Sequence, residues 1–193
     1  MKLDIVFCGV GGQGVVVLSD IYCEAAMLDG FDVAKAEIHG MAQRGGSIVA
    51  YARIGDKVEA PLIENGKADV LVGFEILETA RALPMLKKEG KVVVNMKYIQ
   101  PGCSVSGVKP KKTGELMQIL RSKAIVHEVD GIGIAEKLGN LLVVNTVLLG
   151  ALSALPEIPV KQEAFQQAIA GRIKEKYVNL NLKAFELGRK SVL

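Results

Sequence analysis

The chain has no tryptophan, two histidines and three cysteines in 193 residues, and 5% of its residues are aromatic. Each scarcity excludes something. Cys8, Cys23 and Cys103 lie far apart and show no C-x-x-C spacing, so they cannot by themselves hold an iron–sulfur cluster or a structural zinc. An odd number of cysteines with no framework fits a reducing compartment. His39 and His127 supply no metal-ligand set, and no Asp or Ser is placed to suggest a catalytic triad. The formal net charge is only +3, with no dense basic run interleaved with aromatics, which argues against a nucleic-acid partner. The longest apolar stretch, Leu141 to Leu155, is broken by Asn145, Thr146, Gly150 and Ser153. It is shorter than the ~20 residues that a membrane span needs and reads as a buried or interface helix. The opening Met1-Lys2-Leu3-Asp4 has no signal-peptide layout, so a cytoplasmic location is expected.

What the chain does have is aliphatic material. Hydrophobic residues make up 50% of it, and the mean hydropathy is +0.30. Without large aromatics the core must be Val, Leu, Ile and Ala, the usual substance of a buried parallel sheet. Such a composition also suggests that some surface is hidden against a partner.

Apolar runs at Leu3–Cys8, Phe31–Ala36, Asp69–Phe74, Lys91–Asn95 and Ala124–Val129 read as strands. Ser47–Ile54 alternates and ends at the turn signal Gly55-Asp56, so pairing with Lys57–Ile63 would add an antiparallel edge hairpin. Helical spacing marks Val15–Leu28, Glu75–Leu86, Thr113–Arg121, Gly131–Leu138, Leu141–Leu155, Gln162–Ala170 and Leu180–Leu187. Thr113 and Asp130 are candidate N-caps. Glu75 and Glu78, at a helix start, read as surface charges favoured by the helix dipole. His127, in a strand, reads as a satisfied core or edge residue. Strands alternating with helices predict an α/β fold: one Rossmann-like, doubly wound, mostly parallel sheet with helices on both faces and a C-terminal helical arm. No linker or repeat divides residues 1–193.

Two glycine-rich loops follow the first two strands. Gly9-Val10-Gly11-Gly12-Gln13-Gly14 fits G-x-G-x-x-G between a strand and a helix, where exposed helix amides can hold an anion. Glu37 is the one candidate for the acid that grips a ribose in a classical NAD site. It leads into the second loop, His39-Gly40-Met41-Ala42-Gln43-Arg44-Gly45-Gly46-Ser47, which a plain NAD enzyme does not need. In a doubly wound sheet both loops gather at the carboxyl ends of the strands and predict one shared crevice. Its candidate binding residues are Gly9, Gly11, Gly12, Gln13, Gly14, His39, Gln43, Arg44, Gly45 and Gly46. Arg44 suits a phosphate or carboxylate and equally a neighbouring subunit. No catalytic nucleophile stands beside a base, so the chemistry is expected to lie elsewhere.

The paired loops closely resemble the gamma-type module of the 2-oxoacid:ferredoxin oxidoreductase family. The His-Gly-Met-Ala-Gln-Arg-Gly-Gly form is most similar to that of the beta subunits of its indolepyruvate branch. Ala60-Pro61-Leu62-Ile63, Ala68 to Glu75 and Asn145 to Ala151 share the likeness, which covers most of the chain. The resemblance implies one subunit of an enzyme that converts an aryl pyruvate and coenzyme A to an acyl-CoA and carbon dioxide, with electrons passing to ferredoxin. It implies that thiamine diphosphate, magnesium and the 4Fe-4S clusters belong to a larger alpha subunit, with none bound firmly here. The missing cluster cysteines, and the lack of a Gly-Asp-Gly…Asn pattern, agree with that division. Gln13, Arg44 and the loop glycines are then candidates for the subunit interface or a coenzyme A pocket. Three alternatives stand beside this reading: a gamma subunit acting on pyruvate, 2-oxoglutarate or a branched-chain 2-oxoacid; a self-contained NAD(P) oxidoreductase using His39; and a non-catalytic nucleotide-sensing scaffold.

Overall fold

A computed structural model describes residues 1–40, 45–100 and 111–192. The loop residues Gln43 and Arg44, Cys103 and the turn-rich stretch 101–110 lie outside the described residues. The first strand, β1 (Lys2–Val10), is buried continuously from Leu3 to Gly9. β4 (Ala68–Gly73), β5 (Leu86–Asn95) and β6 (Ile125–Val129) stack beside it in parallel. β2 (Asp32–His39) and β3 (Ser47–Gly55) complete a six-stranded sheet of order β2-β3-β1-β4-β5-β6. β3 runs antiparallel to both of its neighbours, and the other strands share one direction.

The position of β3 corrects the expected edge hairpin. β3 pairs with β2 and lies between β2 and β1, and residues 57–63 form no strand. The reason is burial on both faces. Ala50, Ala52 and Ile54 face one core and Tyr51 the other, which suits an interior strand. β2 carries Asp32, Lys35, Glu37 and His39, and charged side chains suit the edge of a sheet. Pro61, without an N–H, weakens any strand over 57–63.

Helices cover both faces of the sheet. α1 (Val15–Leu28), α4 (Gly131–Lys137), α5 (Val144–Ser153), α6 (Gln162–Arg172) and α7 (Glu175–Lys190) share one core with the sheet. α2 (Ile76–Ala82) and α3 (Thr113–Lys123) share the other. α2 is shorter than expected: a 3-10 turn at Leu83–Met85 contains Pro84, and Leu86 already opens β5. α3 starts at Thr113 itself, with Lys112 as its cap residue and no side-chain cap bond. The scarce aromatics are concentrated. Phe7, Tyr22, Phe165 and Phe185 form a single file across the larger core, with ring centroids 5.8, 6.1 and 5.7 Å apart.

The C-terminal helices dock on this core. Phe165 and Phe185 are fully buried, and Thr146 Oγ1 donates to Asn181 Oδ1 at 2.6 Å. α5 and α7 touch backbone to backbone. A Cβ on Gly150 would lie 2.0 Å from the Phe185 carbonyl oxygen, and one on Gly188 would lie 2.0 Å from that of Val147. Neither carbonyl can move without breaking its helix. Gly150→Ala should therefore lower unfolding free energy by about 2–3 kcal/mol in urea titrations, the range of core overpacking. Gly171→Ala on α6, where the nearest atom is a flexible Glu24 oxygen at 3.4 Å, should cost less than about 0.5 kcal/mol.

Candidate functional site

The carboxyl edge of the sheet carries the two glycine-rich loops, and they are hydrogen-bonded to each other. Gly11 N donates to Gly46 O at 2.8 Å, and Gly45 N to Gly11 O at 3.5 Å. Gly40 N donates to Ser47 O at 3.0 Å and closes the second loop at its base. Two glycines in the first loop have separate tasks. Gly14 holds φ +85° as the N-cap of α1, a conformation that disfavours any residue with a Cβ. Gly9 is pressed by Gln13, Phe74 and Val15, each within 2.9 Å of where a Cβ would stand. α1 has no side-chain cap, so the amides of its first turn have no side-chain acceptor at the mouth.

Gln13 faces inward. Its Oε1 accepts from Val10 N at 2.7 Å, and its Nε2 donates to Phe74 O at 3.3 Å. The same carbonyl accepts from the buried Asn95 Nδ2 at 3.1 Å, and Asn95 Oδ1 accepts from Gly131 N at 3.1 Å. One chain of amides thus ties together the ends of β1, β4, β5 and the start of α4. Asn145, at the start of α5, lies against Gly14, with Nδ2 3.0 Å from the position of a Cβ there.

The candidate residues do not all converge. Gly9, Gly11, Gly12, Gln13, Gly14, Gly45 and Gly46 come together, whereas Gln43 and Arg44 lie outside the described residues. His39 pairs with Ile48, which packs toward the α1 side of the sheet. Cross-strand partners share a face, so His39 is on that side too, half exposed and 3.6 Å from Glu37. Glu37 also meets Lys35 at 3.4 Å. Because β3 separates β2 from β1, Glu37 stands two strand spacings, roughly 9–10 Å, from the glycine strand. That is the wrong place for a ribose-gripping acid.

The surface reading of Glu75 and Glu78 is corrected: they are 0% and 4% exposed. Glu75 caps α2, accepting from the amides of Leu77 at 3.0 Å and Glu78, and from Ile99 N at 3.2 Å. Glu78 receives the Ser47 hydroxyl and the Arg81 guanidinium. Ser47, Glu78, Asn95 and Asn145 are the residues that sequence reasoning missed. The sequence does hold a trace of one of them, since Asn95 sits at the carboxyl end of an apolar run, where a strand hands over to a loop.

Burial, reinforced by the charge of Glu78, pushes the Cys8 thiol far up, and burial pushes that of Cys23 up to about 12. His127 departs from the satisfied residue expected. Its Nε2 is buried with no partner among the described residues, and burial together with Lys91 holds its pKa below the ordinary value. Among the described residues no group of three or more His, Cys, Asp or Glu side chains is placed to hold a metal ion. Two buried, protonated and separate thiols do not fit an iron–sulfur cluster. No helix among the described residues is long and apolar enough to cross a membrane.

The fold and this edge define a doubly wound α/β chain whose mouth is built from two mutually bonded glycine loops. Residues 4–191 match the family described as Pyruvate ferredoxin/flavodoxin oxidoreductase. The chain is 42% identical over 190 residues to the indolepyruvate oxidoreductase subunit IorB of Archaeoglobus fulgidus, covering 97% of this chain and 94% of that protein. It is 30% identical to the pyruvate/ketoisovalerate oxidoreductases common subunit gamma of Thermococcus litoralis, with 95% and 96% covered. The gamma subunit of a keto/oxoacid ferredoxin oxidoreductase from Geobacter sulfurreducens has the same fold, with a TM-score of 0.76, 26% identity and 98% of both chains covered. This chain belongs to the pyruvate ferredoxin/flavodoxin oxidoreductase family.

One measurement checks the mouth and a second checks His127 on β6. Gln13→Ala leaves Val10 N without its acceptor and should lower stability by about 1–3 kcal/mol in denaturant titration. For His127 the folded pKa lies below the unfolded one, so its effect vanishes above the unfolded value, near 6.5. As pH falls below that value the unfolded chain takes up the proton first, and stability declines. His127→Gln should flatten the Tm-against-pH curve below about pH 6.5.

Proposed function

We propose that the chain is the cluster-free subunit of a 2-oxoacid:ferredoxin oxidoreductase acting on indolepyruvate or a related aryl pyruvate. The reaction joins the 2-oxoacid and coenzyme A to give an acyl-CoA and carbon dioxide, and two electrons go to ferredoxin. The observation that carries this reading is the mouth itself. Two bonded glycine loops and an uncapped helix start make a shaped surface, and among the described residues no nucleophile with an adjacent base faces into it. A surface of that kind completes a site whose reacting groups come from a partner. In this reading thiamine diphosphate, magnesium and the 4Fe-4S clusters belong to the alpha subunit; the separate, buried Cys8 and Cys23 are in keeping with that division. The loop glycines and the first-turn amides of α1 are suited to an anion and contribute to enclosing coenzyme A.

Indolepyruvate is favoured over the pyruvate and branched-chain alternatives by the greater identity to the indolepyruvate relative, 42% against 30%. The NAD(P) alternative is weakened by the displaced Glu37 and by the engagement of Gln13 with backbone groups. Buried free thiols at Cys8 and Cys23 accord with a reducing cytoplasm.

Affinity purification of tagged chain from its native cell tests the reading. A thiamine-binding, iron–sulfur partner should accompany the chain. The complex should reduce ferredoxin with indolepyruvate and coenzyme A, and the chain alone should not. Turnover by the chain alone, or capture of no such partner, overturns the proposal.

A further inference from the structure

We propose that Glu78 is the positioning residue of the mouth: its buried carboxylate receives the Ser47 hydroxyl and so sets where residues 45–47 lie against the first glycine loop. The proposal rests on the reading that this mouth completes the partner's cleft.

Ser47 is the point at which the two loops are joined. It ends the second loop, opens β3 and stands opposite Val10, the last residue of β1. Its carbonyl takes the Gly40 amide, and its neighbour Gly46 takes the Gly11 amide. Its side chain is directed to the other side of the sheet, to Glu78 Oε2 on α2. Glu78 Oε1 is occupied by Arg81, whose side chain is 57% exposed and neutralises the carboxylate from the solvent side.

Helix capping does not explain this buried carboxylate. Glu75 already serves as the side-chain cap of α2. A buried charge is costly unless it is paired and hydrogen-bonded, and an apolar residue would fill the space without that cost. What Glu78 adds is a directional bond from α2 to the base of the second loop. Ser47 and Glu78 are 31 residues apart in sequence, so the bond crosses from one layer of the fold to another.

The test uses Ser47→Ala, Ser47→Thr, Glu78→Met and the double variant Ser47→Ala/Glu78→Met. In the full isolated chain, amide exchange at Gly11 and Gly40 should quicken about tenfold in Ser47→Ala and return to the parent rate in Ser47→Thr. In the complex with the partner subunit, Ser47→Ala should lower kcat/KM for coenzyme A about tenfold. Glu78→Met should match it, and the double variant should lose no more than either single change. Unaltered exchange in Ser47→Ala, a threonine variant as impaired as the alanine one, or losses that multiply in the double variant overturns the proposal. The exchange measurement needs no activity, so failure of the enzymatic reading is distinguished from failure of the tether.

Discussion

The carbonyl oxygen of Phe74 accepts from Gln13 at 3.3 Å and from Asn95 at 3.1 Å, and the carboxyl edge of the sheet depends on this shared acceptor. Strands that end in a buried layer leave polar backbone groups that must find partners. Here side-chain amides supply them in series. Gln13 takes the Val10 amide, Phe74 takes Gln13 and Asn95, and Asn95 takes the Gly131 amide. The Phe74 amide itself donates to Cys8 O at 2.9 Å, which locks β4 to β1 just beneath the mouth. The glycine turn is therefore held from within, and its backbone faces outward.

That arrangement separates a familiar sequence pattern from its familiar use. A G-x-G-x-x-G turn binds a dinucleotide when the neighbouring strand brings an acid to the ribose. Here the neighbour of β1 is the antiparallel β3, and the second loop takes the place beside the turn. The same local geometry thus serves a mouth made of two loops. Function follows from what stands beside the motif, and the fold alone does not decide it.

Much of the fold was legible in the sequence, for physical reasons. β1 and β4, and the Val92–Val94 stretch of β5, are buried on both faces, so their apolar runs are nearly continuous and hard to mistake. Gly14 announces the start of α1 because few other residues tolerate its backbone. The pairing of β3 was not legible, because alternation shows which faces are buried and does not name the neighbour. Glu75 and Glu78 were misread because a helix-start carboxylate looks the same whether it faces water or caps a buried turn. His39 was grouped with the mouth because it is close in sequence, and one step of strand register put it on the α1 side. Within the site, the meeting of the two loops was legible. The amide chain through Asn95 was not, since its links are far apart in sequence.

Hydrogen–deuterium exchange on the complex with the partner subunit tests most directly whether another polypeptide finishes the mouth. Protection gained on association should concentrate at residues 9–14, 40 and 45–47, and at the start of α5 around Asn145. Protection confined to the opposite edge, around Lys2, Arg53 and Lys67, with the glycine loops exchanging as they do in the free chain, would contradict the account.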